Sequence, residues 1–227
     1  MAKAVTINEI ELEHFDLTIR GTSPLIVHAW SEKARRELFD AQTKNKTGAK
    51  HEVKVPTNDF MDSLYWLTEK PRHGADEEEA QEIWEKAVAD GAKFGFPVTG
   101  IKQAIIRGQK NGGVGAVMTD LRGSMYLSGS TEAANADMAE IVGPTPLIRE
   151  DMVRVGGMSK GADIRYRAEF VEWEIPMRLT YIKDGLYSLN QILNMIDYGG
   201  FCCGIGEWRP QKDGQFGMFE LVKQVVS

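Results

Sequence analysis

Between residues 198 and 219 the chain reads YGGFCCGIGEWRPQKDGQFGMF, with glycine at 199, 200, 204, 206, 214 and 217. Glycine weakens the interior of a helix or strand, but it admits positive φ and lets another backbone or a ligand approach with no Cβ in the way. The segment is therefore a loop, and its flanks say what it joins. Upstream, Ser188-Leu-Asn-Gln191 has the form of a capping box, and Leu189, Ile192, Leu193 and Ile196 recur at helical spacing. A helix starts there and is expected to stop at Gly199-Gly200. Downstream, residues 218–226 read as a closing strand. Trp208, Arg209, Lys212, Phe216 and Phe219 place cations and flat rings beside the bare backbone, which suits a polyanion with stackable bases. A plainer reading uses the same residues: two glycines stop a helix, and Asp213-Gly214 turns between two strands.

Earlier in the chain, Phe15, Leu17 and Ile19 alternate with Asp16, Thr18 and Arg20, the signature of a half-buried strand that ends or bends at 21–24. Ser31 is positioned to cap a helix over 32–42, and the lysine-rich run 43–54 has no apolar period and reads as a basic loop. Helices are expected over 58–69 and 76–90, the latter with Ala80, Ile83, Trp84, Ala87 and Val88 on one face. An extended piece over 94–100 leads, with Thr99 as cap, into a helix whose Ile101, Ala104, Ile105 and Gly108 share one stripe, while Lys102, Arg107 and Lys110 project elsewhere. A strand is expected over 124–127. Residues 148–167 have the pattern of a long hairpin with glycines at 156, 157 and 161, punctuated by Arg149, Arg154, Lys160, Arg165 and Arg167. Over 171–181 alternation is clearest, and Pro176 within it points to an edge position or a bulge.

Composition narrows the function. A net charge of −6 argues against coating duplex DNA through a general positive field, yet the acid is concentrated in Asp76, Glu77, Glu78, Glu79, Glu82 and Glu85, so local basic grooves remain. The N-terminal residues are too acidic and broken for a signal peptide, and no apolar run is long enough to span a bilayer, which predicts a cytoplasmic protein away from membranes. Cys202 and Cys203 are adjacent, have no spaced partners for zinc or a disulfide framework, and read as small strand residues. No P-loop, dinucleotide fingerprint, H-E-x-x-H, C-x-x-C or G-x-S-x-G occurs. No cofactor or metal is expected.

Three stretches, in order, resemble the RAMP superfamily, the ferredoxin-like, RRM-related proteins that supply backbone and processing subunits of CRISPR effectors. GTSPLIVHAWSEKA at 21–34 looks like their first strand-to-helix junction, FPVTGIKQAIIRG at 96–108 like their helix entry, and GGFCCGIGEWRPQKDGQFGMF at 199–219 like their C-terminal glycine-rich loop. The wording GIGEWRP…GQFG also looks like that of phage proteins. The resemblance implies an α+β, ferredoxin-like (RRM-related) core of two half-repeats forming a single domain over 1–227, with a β-hairpin thumb over 146–168; the helix patterns add a helical insertion over 43–92, which is not a common feature of that family. It further implies single-stranded DNA or RNA held against the glycine-rich loop, and a homo-oligomer or filament along the strand.

On that reading phosphate contacts fall to Lys102, Arg107, Arg154, Lys160, Arg165, Arg167 and Arg209, base stacking to Trp208 and Met158, and close backbone approach to Gly204 and Gly206. Two alternatives stand beside it. Some relatives cut RNA, and His28 lies in the first strand-to-helix loop where a general acid or base could sit. In the other, a structural phage protein uses the glycines for packing alone.

Overall fold

A computed structural model describes residues 9–30, 39, 43, 54–111, 115–129, 136–154 and 161–222. Along the chain these form β1 (Leu12–Gly21), β2 (Leu25–Val27), α1 (Pro56–Ser63), α2 (Glu77–Ala89), β3 (Gly95–Pro97), α3 (Val98–Gly108), α4 (Met118–Ser124), β4 (Met125–Gly129) and β5 (Met138–Glu140). They continue with β6 (Leu147–Arg154), β7 (Ala162–Phe170), β8 (Glu174–Ile182), α5 (Leu189–Cys202) and β9 (Phe219–Leu221). The largest sheet has the order β4-β8-β1-β9, with every neighbouring pair antiparallel. In chain order its parts alternate as β1-α3-β4 and β8-α5-β9, so the two strands of each half flank a strand of the other. Mixed α+β structure with this interleaved order is the ferredoxin-like arrangement.

The alternation in β1 is what builds that sheet. Leu17 and Ile19 are buried with Ile175, Met177 and Leu179 of β8 and with Ile101, Ile105, Ile192 and Ile196 of the two helices. Each such side chain contributes about 1.5–3 kcal/mol by leaving water. The other face of the sheet is polar. Arg178 makes a two-pronged contact with Asp16 at 2.7 and 2.9 Å, Arg20 pairs with Glu174 at 2.7 Å, and His14 bonds Thr180. Pro176, for which an edge position or a bulge was expected, lies in a central strand. It sits one residue beyond Met177, the last β8 residue partnered by β4, where a missing N–H is tolerated.

Gly199 and Gly200 do not stop the last helix, which runs on to Cys202 with Cys203 as its C-cap. They are crossing points. A Cβ on Gly199 would lie 2.7 Å from the Cα of Ile105, one on Gly108 would lie 2.4 Å from the Cα of Gly199, and one on Gly200 would lie 1.9 Å from the Phe219 carbonyl oxygen. The bare backbone thus lets α5 press on α3 and β9 at once, and the two cysteines end a helix instead of occupying a strand. The capping box at its start forms as expected, with Ser188 and Gln191 bonded to each other's backbone N–H.

Two insertions complete the molecule. The first carries β2, α1, α2 and β3, and the second β5 with the antiparallel β6–β7 hairpin. They meet as a second sheet, β2-β7-β6, and as the small pair β3-β5. Helix α1 ends at Ser63, short of the expected 69, because Leu64 turns extended and Trp66 bridges to Phe94. The Ser63 hydroxyl then accepts the Ala168 N–H at 2.9 Å, pinning the helix to β7. Rings of Phe60, Trp66, Trp84 and Phe94 stack edge to face or tilted at 4.8–6.2 Å and hold α2 in place. Helix α3 begins at Val98, with Pro97 in the N-cap position making no side-chain capping bond, so Thr99 is not its cap. Residues 32–38, 40–42 and 44–53, on which the first helix and most of the lysine-rich loop fall, lie outside the described residues.

Candidate functional site

The loop after α5 folds back on the start of the chain. Gly217 N–H donates to the Pro24 carbonyl at 2.7 Å, Glu207 N–H to the Ile26 carbonyl at 2.9 Å, and Ile205 N–H to the Gly217 carbonyl at 2.9 Å. Gly204 and Gly206 have φ of +65° and +74°, and a Cβ on Gly206 would come within 2.4 Å of the Ile26 carbonyl oxygen. These glycines are thus required by the loop's own path, and the amides of Gly204, Ile205 and Glu207 are bonded internally. Trp208 and Asp213 also take positive φ, at 52° and 61°.

Between this loop and α3 lies a cavity of about 180 Å³, below the roughly 300–1,000 Å³ of clefts that enclose drug-sized ligands. One wall is the helix stripe Gly100, Gln103, Ala104 and Arg107, spaced i, i+3, i+4, i+7. Facing it are Gly204, Gly206, Glu207 and Arg209, and His28, Tyr65 and Phe96 also line it. Arg209 is held in place, its Nη1 donating to the Gly206 carbonyl at 2.7 Å and its Nε to Gln211 at 3.2 Å. Arg107 is exposed and, among the described residues, forms no ion pair. Part of the His28 ring is open, yet the surrounding protein holds its pKa below the usual histidine range. The charges of Arg167 and Arg165 push the same way, while Glu207 opposes them. Burial raises the Tyr65 phenol, with Glu207 adding to it.

The expected site residues separate into groups. Arg107, Arg209, Gly204 and Gly206 meet at the cavity, with His28 beside them. Trp208 is 45% exposed but stands outside the lining. Lys102 is turned inward: its ammonium donates to the Arg122 and Met125 carbonyls at 2.8 and 2.7 Å, capping the end of α4, and partial burial lowers its pKa. Arg167 is not a surface cation. At 3% exposure it lies within the hairpin sheet, bonding Asp151 through Nη1 at 3.2 Å, while its buried Nε has no partner. Arg154 and Arg165 remain accessible on the hairpin, with Arg165 at 3.9 Å from Asp163. Met158 and Lys160 lie outside the described residues. The hairpin is tied to the glycine loop, since the Arg149 guanidinium sits 4.7 Å from the centre of the Phe216 ring. Phe219 is buried in the core.

Tyr65, Gln103 and Glu207 were not singled out from the sequence. Gln103 could have been found from its i+3, i−4 relation to Gly100 and Arg107; Tyr65 arrives through the insertion and left no such signal. Of the remaining histidines, His73 bonds Asp62 at 2.8 Å and His14 bonds Thr180, while His51 lies outside the described residues. Among the described residues no cluster of His, Cys, Asp or Glu could hold a metal ion, and no helix is long and apolar enough to cross a membrane.

No protein-family model matches the chain, and no curated protein matches it. Among solved structures it is similar to the crystal structure of Cmr6 from Pyrococcus furiosus, at 10% sequence identity and a TM-score of 0.38, over 94% of this chain and 100% of that one.

Proposed function

We propose that this protein binds single-stranded nucleic acid without cutting it, laying the strand across the cavity between α3 and the glycine loop. The observation that carries this reading is the convergence of Arg107 and Arg209, from elements a hundred residues apart, on one cavity whose far wall is glycine. Two guanidinium groups offer phosphate a charged grip, while Gly204 and Gly206 serve to shape the wall, since the space a side chain would take at each is filled by Pro210 and by Ile26. Trp208 on the loop's outer side supplies a stacking surface beside them, and Arg154 and Arg165 make the hairpin a thumb across the strand. The polar, ion-paired open face of the four-stranded sheet, with Tyr126 as its exposed ring, is poorly suited to stacking bases in the RRM manner, which favours the loop side. The interleaved core, with its loop between last helix and last strand, is what supports a distant kinship to RAMP proteins. Assembly of copies along the strand belongs to the same reading.

Fluorescence anisotropy with a labelled oligonucleotide tests it. Single strands are expected to bind, more weakly as salt rises, with duplex far weaker; Arg107→Glu should lower affinity about tenfold or more by reversing a charge at a phosphate contact, with the melting curve unchanged. Absence of binding at low salt would refute the proposal. A second reading rests on His28, whose imidazole stays neutral at the cavity and could take a proton from a ribose hydroxyl. Denaturing electrophoresis of RNA incubated with the protein decides between them: cleavage lost in His28→Ala would establish the nuclease, and intact RNA would remove it.

A further inference from the structure

The cavity contains one group that a phosphate pocket should not have. Glu207 lines it together with Arg107 and Arg209, and among the described residues it makes no ion pair. Its charge is felt at both His28 and Tyr65, which line the same cavity. Nor is it placed loosely: its own N–H is bonded to Ile26, and Gly206 before it is wedged against the same carbonyl. A carboxylate carried on this fixed backbone repels phosphate at close range, so the sugar-phosphate chain belongs at the rim, with Arg107 and Arg209, and something carrying hydrogen-bond donors belongs inside.

We propose that the cavity receives a single base of the bound strand and prefers guanine, read by the Glu207 carboxylate. Guanine alone presents two adjacent donors on its Watson–Crick edge, N1–H and the N2 amino group, which a carboxylate can accept as a pair. Adenine and cytosine set a ring acceptor beside their amino group, and thymine and uracil offer one N–H between two carbonyls. Tyr65 and Phe96 also line the cavity, their rings packed edge to face with centroids 6.0 Å apart, and supply aromatic surface for a base. This inference rests on the nucleic-acid reading above and refines it from sequence-neutral binding to binding with one selective position.

The probe is a labelled thymidine tract carrying at its centre one guanine, adenine, cytosine or hypoxanthine, the last lacking the N2 amino group. The guanine tract is expected to bind about tenfold or more tightly than the others, the discrimination of a good two-point base contact, and hypoxanthine should forfeit most of that gain. In Glu207→Gln, checked for an unchanged thermal unfolding curve, the ratio of guanine to adenine affinity should fall towards one. Equal binding of all four tracts overturns the base preference while leaving the nucleic-acid reading intact. A guanine preference that survives Glu207→Gln overturns the assignment to this carboxylate, and failure of every tract to bind overturns both.

Discussion

Replacing Gly206 by alanine tests whether the loop's geometry is imposed by contact as well as by torsion. The residue has φ +74°, and a new Cβ would stand 2.4 Å from the Ile26 carbonyl oxygen and 2.7 Å from a methyl of Leu25. Left-handed backbone costs a non-glycine residue about 1–2 kcal/mol. Forcing a methyl against a backbone atom that cannot swing aside costs about 1–3 kcal/mol more. Gly206→Ala should therefore destabilise by about 2–5 kcal/mol, the sum of the two. Two controls separate the components. Gly91 has φ +85° with nothing within 4 Å of a built Cβ, so Gly91→Ala should cost only the torsional part, about 1–2 kcal/mol. Gly123, inside α4, has neither a positive φ nor a neighbour in reach, and Gly123→Ala should stabilise by about 0.4–1 kcal/mol. Urea unfolding followed by tryptophan fluorescence gives the three differences from the midpoints, provided the slopes agree. If Gly206→Ala and Gly91→Ala fall within about 0.5 kcal/mol of each other, the wedge against Ile26 is not what holds the loop. A displaced Gly206 would also release Arg209, whose guanidinium rests on its carbonyl.

Two further outcomes follow from the site. His28 has a folded pKa below its ordinary value of about 6.5, so the folded protein resists its protonation; stability should be full above about pH 6.5 and decline as pH falls through the depressed value, and His28→Ala should flatten that decline in melting curves taken between about pH 7.5 and 5.5. Lys102→Met should cost about 1–3 kcal/mol by leaving the α4 carbonyls without their charged donor, yet leave the salt dependence of oligonucleotide binding unaltered; a slope reduced by about one would return Lys102 to the phosphate contacts.

Local patterns carried the core. The alternation at 15–20, the capping box at 188–191 and the apolar stripe in α3 each specify an element with little help from elsewhere, and each formed. What escaped was decided by contact between distant segments. Gly199-Gly200 has the composition of a helix stop, but a helix ends where its backbone bonds end, and here two neighbours press close enough to need glycine inside it. Lys102 and Arg167 carry the right charge for phosphate, and charge says nothing of direction: one faces the carbonyls of α4, and the other was enclosed when the hairpin paired with β2. Arg107, Arg209 and the two loop glycines were legible because a helix face and a side-chain-poor loop constrain where their residues go. Tyr65 was not, since its position depends on α1 breaking off at Ser63.

At Gly21 the chain leaves the four-stranded sheet and within four residues has joined the other one, so the same run of backbone that ends β1 begins β2. Val27, at the end of that run, pairs with Ala168 of the hairpin, and His28 follows it directly at the cavity mouth. The hairpin and the glycine loop are consequently levers on a common fulcrum. The β6–β7 arm is fastened to β2 by strand pairing, and the glycine loop is fastened to the same short stretch through the carbonyls of Pro24 and Ile26 that receive Gly217 and Glu207.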